Sequence, residues 1–224
     1  MKMNKKLRRI LLTVCSAALL VCVTVGATVA YLTSTDEVVN SFTVGNVQIK
    51  LDEAKANADG TPDTTVTDRV KANSYKLLPG HTYNKDPMVT VLKGSESCYV
   101  KMTVTFSNSS QLDAIFDALN EGKTEAEKIQ LTSIFNGYNS SKWTYKGNTE
   151  DTGANTRTYE FWYYQPVAAS DDNVALDALF KSITIPGAIT NEQLKTINNM
   201  TITVNAYAIQ ADGFDDAADA WANY

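Results

Sequence analysis

The 224-residue chain carries 20 basic and 25 acidic residues, a net charge of −5, and one histidine, His81. A single histidine excludes His-rich zinc sites, HExxH metalloprotease chemistry, Ser-His-Asp triads and Cys-His dyads unless a variant base is used. The acidic balance, with no basic cluster after the first residues, excludes a nucleic-acid or anionic-membrane surface.

The first thirty residues differ from the rest. Lys2, Lys5, Lys6, Arg8 and Arg9 precede an uncharged run from Ile10 to Ala30 that closes on Gly26-Ala27-Thr28-Val29-Ala30. This is the order of a signal peptide: basic, then apolar, then small. Cleavage between Ala30 and Tyr31 puts Thr28 at the third position back; cleavage after Ala27 is a second option. The run also reaches bilayer-spanning length, so a retained anchor is the competing reading; the small-residue ending favours removal. Cys15 and Cys22 each follow a valine, which disfavours a lipoprotein signal. Removal leaves 15 basic against 25 acidic residues, a charge of −10, and Cys98 as the last cysteine. No intrachain disulfide can then form, and stability must come from core burial.

Period-two alternation dominates the remainder. Phe42 and Val44 lead into Val47, Ile49 and Leu51, with Gly45 a candidate bulge. Ala54–Val70 reads as a long loop, and Pro79-Gly80 as a type II turn. Met88–Leu92 is a short strand. In Cys98–Phe106, Val100, Met102, Val104 and Phe106 share one face and Lys101, Thr103 and Thr105 the other. Helical spacing marks Gln111–Asn120, and Thr124 with Glu127 predicts a capped helix over Thr124–Phe135. Lys142–Lys146 is a strand, Gly147–Asn155 a loop, and Thr158–Gln165 an aromatic strand suited to a central or interface place. Helices are predicted over Asn173–Lys181, over Asn191–Ile197 with a Thr190/Gln193 cap, and over Asp215–Trp221; Met200–Ala208 alternates again. The pattern predicts a mainly β protein, an antiparallel sandwich with inserted short helices behind an N-terminal signal helix.

Few residues invite chemistry. His81 follows a turn, and Cys98 begins a strand on its apolar side with no neighbour to activate it. Asp171-Asp172 and Asp215-Asp216 could bind calcium, but helix capping explains both pairs more simply. Phe161-Trp162-Tyr163-Tyr164 could line a glycan surface, although core or interface packing accounts for it better. No cofactor, metal or catalytic residue is expected, and no enzymatic activity.

One stretch is more specific. The leader ending Gly26–Ala30 runs into Tyr31-Leu32-Thr33-Ser34-Thr35-Asp36, then Asn40-Ser41-Phe42-Thr43-Val44-Gly45-Asn46-Val47 and Gln48–Leu51. This resembles the N-terminus of proteins processed by the SipW-type signal peptidase, the TasA/camelysin-like group, over roughly residues 20–52. Ala208–Phe214 and Ala220-Trp221 resemble tails in that group. The resemblance implies a secreted or cell-surface protein of a Gram-positive bacterium with a jelly-roll-like fold. It further implies assembly into biofilm matrix fibres, the N-terminal strand of one subunit completing the sheet of the next. The metalloprotease activity described for camelysin-like members does not carry over, because HExxH is absent.

The expected organisation is a signal peptide at 1–30, a candidate donor strand at 31–52 and one β-sandwich domain at 53–224. Tyr31, Leu32, Val38, Val39, Phe42 and Val44 are the candidate assembly residues. The expected partners are other copies of the chain, other matrix proteins and, during export, the signal peptidase. The membrane is a partner only before cleavage. A monomeric surface module binding glycan or protein is the alternative, and an unfamiliar extracellular hydrolase a weaker one.

Overall fold

In the computed structural model the described residues are 46–224, all within one unit of the chain. The predicted signal segment, the cleavage point at Ala30–Tyr31, the assembly residues up to Val44 and the Gly45 bulge lie outside the described residues. The elements run β1 (Ile49–Asp52), β2 (Thr82–Asn84), β3 (Met88–Val91), β4 (Ser95–Ser107), α1 (Ser109–Asn120), β5 (Phe135–Asn136), β6 (Trp143–Asp151), β7 (Thr156–Tyr163), β8 (Val167–Ala169), β9 (Val174–Ala175), β10 (Ser182–Thr184), α2 (Asn191–Thr196), β11 (Ile202–Gln210) and α3 (Ala217–Ala222). The protein is mainly β, and all its strand pairs are antiparallel.

The largest sheet has the order β11-β4-β7-β6, with β8 continuing beside the start of β4; β1-β3-β9 and β2-β10-β5 form two smaller sheets. Alternation explains the long β4. Val100, Met102, Val104 and Phe106 are at most 1% exposed on its inner face, each burial contributing roughly 1.5–3 kcal/mol. Phe106 meets Tyr159 edge-on and Phe135 at an angle, and Phe135 stacks on Phe180. Trp143 is fully buried, and its indole N–H donates to the Asp177 carbonyl (2.9 Å).

Several predicted elements hold. Gly80 has φ 74°, and His81 N–H donates to the Leu78 carbonyl (3.3 Å), as a type II turn requires. Thr190 and Gln193 form the reciprocal cap of α2, and Asp216 caps α3 by accepting from Ala218 and Asp219 N–H. β7 sits between β4 and β6, the central place its two aromatic faces suggest. The Asn155 side chain, accepting from Ser110 N–H (2.9 Å), caps α1 across the sheet.

Three predictions fail for local reasons. Thr124–Phe135 is not an α-helix but a turn followed by a 3-10 turn at Leu131–Ile134. Asn120 grips Ile129 from both sides, its Oδ1 accepting from Ile129 N–H (2.7 Å) and its Nδ2 donating to Ile129 C=O (2.8 Å). Those backbone groups are therefore withdrawn from any helical ladder. Asn173–Lys181 is extended rather than helical. Leu176 N–H bonds to Val89 C=O, Leu179 N–H to Pro87 C=O and Lys181 N–H to Asn136 C=O. This lays Leu176, Leu179 and Phe180 into the core, so the apolar spacing that mimics a helix serves tertiary packing instead. Finally, β6 runs through Gly147–Asp151, and the loop shortens to the turn before β7.

The Ala54–Val70 loop is held by charge. Arg69 donates through Nε to Asp52 (2.5 Å) and through a terminal nitrogen to Asp86 (2.9 Å), and also reaches both residues' carbonyls. Burial works to raise the Asp52 carboxyl, but hydrogen bonds and charges from Lys50 and Arg69 outweigh it and hold the group below its ordinary 3.8. A depressed folded value means stability that is present above 3.8 and lost as pH falls through the lower folded value. Asp52→Asn should therefore cost about 2 kcal/mol near neutral pH, since it removes one charged hydrogen-bond partner from Arg69 and leaves Asp86 in place. Urea unfolding near neutrality and at about pH 3 should show wild type losing stability with acid and the variant losing less.

Candidate functional site

The site begins with the hydrogen-bond phase of β11. Ala211 N–H donates to Ser97 C=O (2.7 Å) and Ser107 N–H to Thr201 C=O (3.1 Å). In an antiparallel pair the bonded positions alternate, so odd residues of β11 turn their backbone groups toward β4. The N–H and C=O groups of Ile202, Val204, Ala206, Ala208 and Gln210 face the other way, and among the described residues nothing pairs with them.

That edge lacks the usual protection. Ile202–Gln210 contains no charged residue, and its register with β4 is unbroken. At the opposite edge β6 has a register shift between Tyr145 and Gly147 and carries Lys146, Glu150 and Asp151. A bulge and charges are what sheets use to discourage edge pairing; β6 has both and β11 has neither.

Burial says the same. Val100, Met102, Val104 and Phe106 are sealed, yet their register partners Ala208, Ala206, Val204 and Ile202 are only half-buried. Across from them, Val47, Ile49 and Leu51 are also half-buried against the core. The core is left partly uncovered along this side. Two adjoining hollows of about 480 and 350 Å³ lie beside the start of β11. The first is more apolar, with Tyr75, Leu77, Ile183, Ile185, Met200 and Ile202 beside Asn73 and Lys85; the second carries Glu53, Lys71 and Lys85.

β1 is better guarded than β11. Leu92 N–H donates to Gln48 C=O (2.8 Å), so Ile49 and Leu51 turn outward. Lys71 Nζ covers the Leu51 carbonyl (2.6 Å), and Glu53 pairs both ways with Val70. The Asn46 C=O accepts from Glu96 N–H (3.0 Å), near the end of β11, where Gln210 pairs with Cys98. The hollows lie at the start of β11, roughly 30 Å away for a strand of this length.

The other residues singled out in the sequence are not brought together. His81 is exposed after its turn. Cys98 is buried, its thiol pushed up to about 11 by that burial, and its Sγ donates to Val167 C=O. Asp171 and Asp172 are exposed and precede a strand, so they cap no helix; of the second pair Asp216 is the cap. Phe161 is core. Trp162 lies on the opposite face, near Trp221 of α3 and under Lys146. Lys101 sits over the rings of Tyr207, Trp221 and Tyr224, which pins α3 to that face. Among the described residues no helix is long and apolar enough to cross a membrane.

Comparison with protein-family models, curated proteins and solved structures finds no match to this chain.

The bare edge sets a pattern in amide exchange. In the monomer Val204, Ala206 and Ala208 should exchange fast while Thr203, Asn205 and Tyr207 stay protected, as read by hydrogen exchange with NMR. Even protection along the whole strand would mean that the edge is paired.

Proposed function

We propose that the exported chain, freed of its leader between Ala30 and Tyr31, is a structural subunit of extracellular matrix fibres that assembles by β-strand complementation. The observation that carries this reading is the uncharged outer edge of β11, unpaired among the described residues, beside a half-covered core. Ile49–Asp52, the end of the expected 31–52 donor segment, pairs with β3 of its own domain, so the donor in this reading is the front of that segment, Tyr31–Val44, of another copy. Val38, Phe42 and Val44 point to one face of such a strand and fill the exposed inner side, while Val39 takes the other face and Tyr31 and Leu32 extend the contact. Main-chain bonds to Ile202, Val204, Ala206 and Ala208 give affinity, and the side-chain hollows give register.

A second copy is the better donor than the chain itself. Asn46, two residues after Val44, lies beside the end of β11, whereas the hollows flank its start. A contact of this kind is head-to-tail and open, so it propagates as a filament. In this reading the fold is a jelly-roll-like sandwich short of one strand, and the leader delays assembly until export is complete. The −10 charge of the trimmed chain suits a protein kept soluble outside the cell.

Two variants of the chain 31–224 separate donor from acceptor. Phe42→Ala weakens donation. Val204→Pro blocks acceptance without touching β4, because the Val204 N–H faces outward. Each alone should remain non-filamentous by electron microscopy, and their mixture should give pairs that stop growing. Filaments from either variant alone, or long filaments from the mixture, would contradict the reading. Monomers from wild type under all conditions would favour a surface-binding module.

A further inference from the structure

Glu53, Asn73 and Lys85 come from three segments and meet at the wall of the groove. Lys85 Nζ donates to Glu53 Oε2 (2.6 Å), and Asn73 Nδ2 donates to Glu53 Oε1 (2.9 Å). One carboxylate thus holds an amine on one oxygen and a carboxamide nitrogen on the other. Glu53 and Lys85 are 5% and 8% exposed. Among the described residues Glu53 is the sole acceptor for Lys85 Nζ. Asn73 is fixed on its other sides, its Nδ2 also donating to Ala54 C=O (2.9 Å) and its Oδ1 accepting from Ala56 N–H (3.0 Å).

This arrangement is more specific than an ion pair. A nucleophilic amine, an acyl carbon, a base touching both nitrogens and an N–H donor on the acyl oxygen are the parts of an acyl transfer. Burial adds a driving force, because an enclosed ammonium and carboxylate are costly to keep.

We propose that Lys85 and Asn73 become joined by an isopeptide bond, with Glu53 as the catalytic proton carrier. Glu53 takes one proton from the Lys85 ammonium. The freed lone pair attacks Asn73 Cγ, and the Ala56 N–H faces the charge that develops on Oδ1. Glu53 passes its proton to Nδ2 and receives a second from Nζ. The Cγ–Nδ2 bond breaks and ammonia leaves. Nζ and Cγ end as a secondary amide and Glu53 ends neutral, so both buried charges disappear and no oxidant or cofactor is consumed.

The bond would give a cross-link to a protein whose one cysteine among the described residues is free and buried. It would tie the stretch after the Ala54–Val70 loop to the residue ahead of β3. Both partners line both hollows beside β11, so the wall of the groove would be covalently braced. The chemistry is independent of assembly.

Intact-mass measurement of the folded full chain tests this directly, followed by tryptic digestion. The expected mass is that of the sequence less one ammonia. The expected digest contains a branched species, residues 72–76 joined to residues 77–93, with cleavage blocked at Lys85. Glu53→Gln should restore the full mass, and Asn73→Asp should lose water in place of ammonia, which keeps the test open should Glu53→Gln not fold. A wild-type chain of full mass, or one lighter by ammonia without the branched peptide, overturns the proposal.

Discussion

Every strand offers hydrogen-bonding groups on both sides, and a sheet must pair them, wet them or cover them. β11 satisfies one side through β4 and leaves the other unpaired among the described residues. The rest of the arrangement follows from that imbalance. The inner face of β4 is sealed, while β11 and β1 are half-covered, and two hollows open beside the start of β11. A long, flat, uncharged edge is a hazard that sheets normally suppress. Here the far edge at β6 is suppressed, and among the described residues this one is not.

The wall of the groove is built from polar contacts. Arg69 binds Asp52 and Asp86, Lys85 and Asn73 converge on Glu53, and Lys71 reaches the Leu51 carbonyl. Without these the Ala54–Val70 loop has little apolar surface to hold it in place. Gly60 shows how tightly it sits: at φ 89°, a Cβ there would come within 2.7 Å of the Thr82 carbonyl and the Tyr83 backbone. The groove is therefore a rigid feature set by buried charge on one side and strand register on the other.

Much of the fold was legible in the sequence, and the failures share a cause. Alternation over Cys98–Phe106 and Met200–Ala208 located β4 and β11, and two local signals, Thr190/Gln193 and Pro79-Gly80, formed as expected. Asn173–Lys181 and Thr124–Phe135 carried convincing helical spacing yet are not α-helices, because distant backbone partners at Val89 and Pro87, and the Asn120 side chain, claimed their hydrogen bonds. No single-segment pattern reports such competition. The site was legible only by halves. The absence of charge in Ile202–Gln210 can be read directly from the chain, but a sequence does not say which strand ends at an edge, and the stretch around Phe42 and Val44 lies outside the described residues. The Glu53, Asn73 and Lys85 cluster left no trace in the sequence, since its members lie in a loop-like region and meet only in three dimensions.

The central claim is that a strand from one copy completes the sheet of another. The most direct measurement is a cryo-electron microscopy structure of the polymer formed by the trimmed chain, resolved well enough to trace main chain. The account predicts an added strand, Tyr31–Val44, hydrogen-bonded along Ile202–Gln210 and continuous with the neighbouring subunit. A bare β11 edge in the polymer, or an added strand continuous with its own subunit, would contradict it.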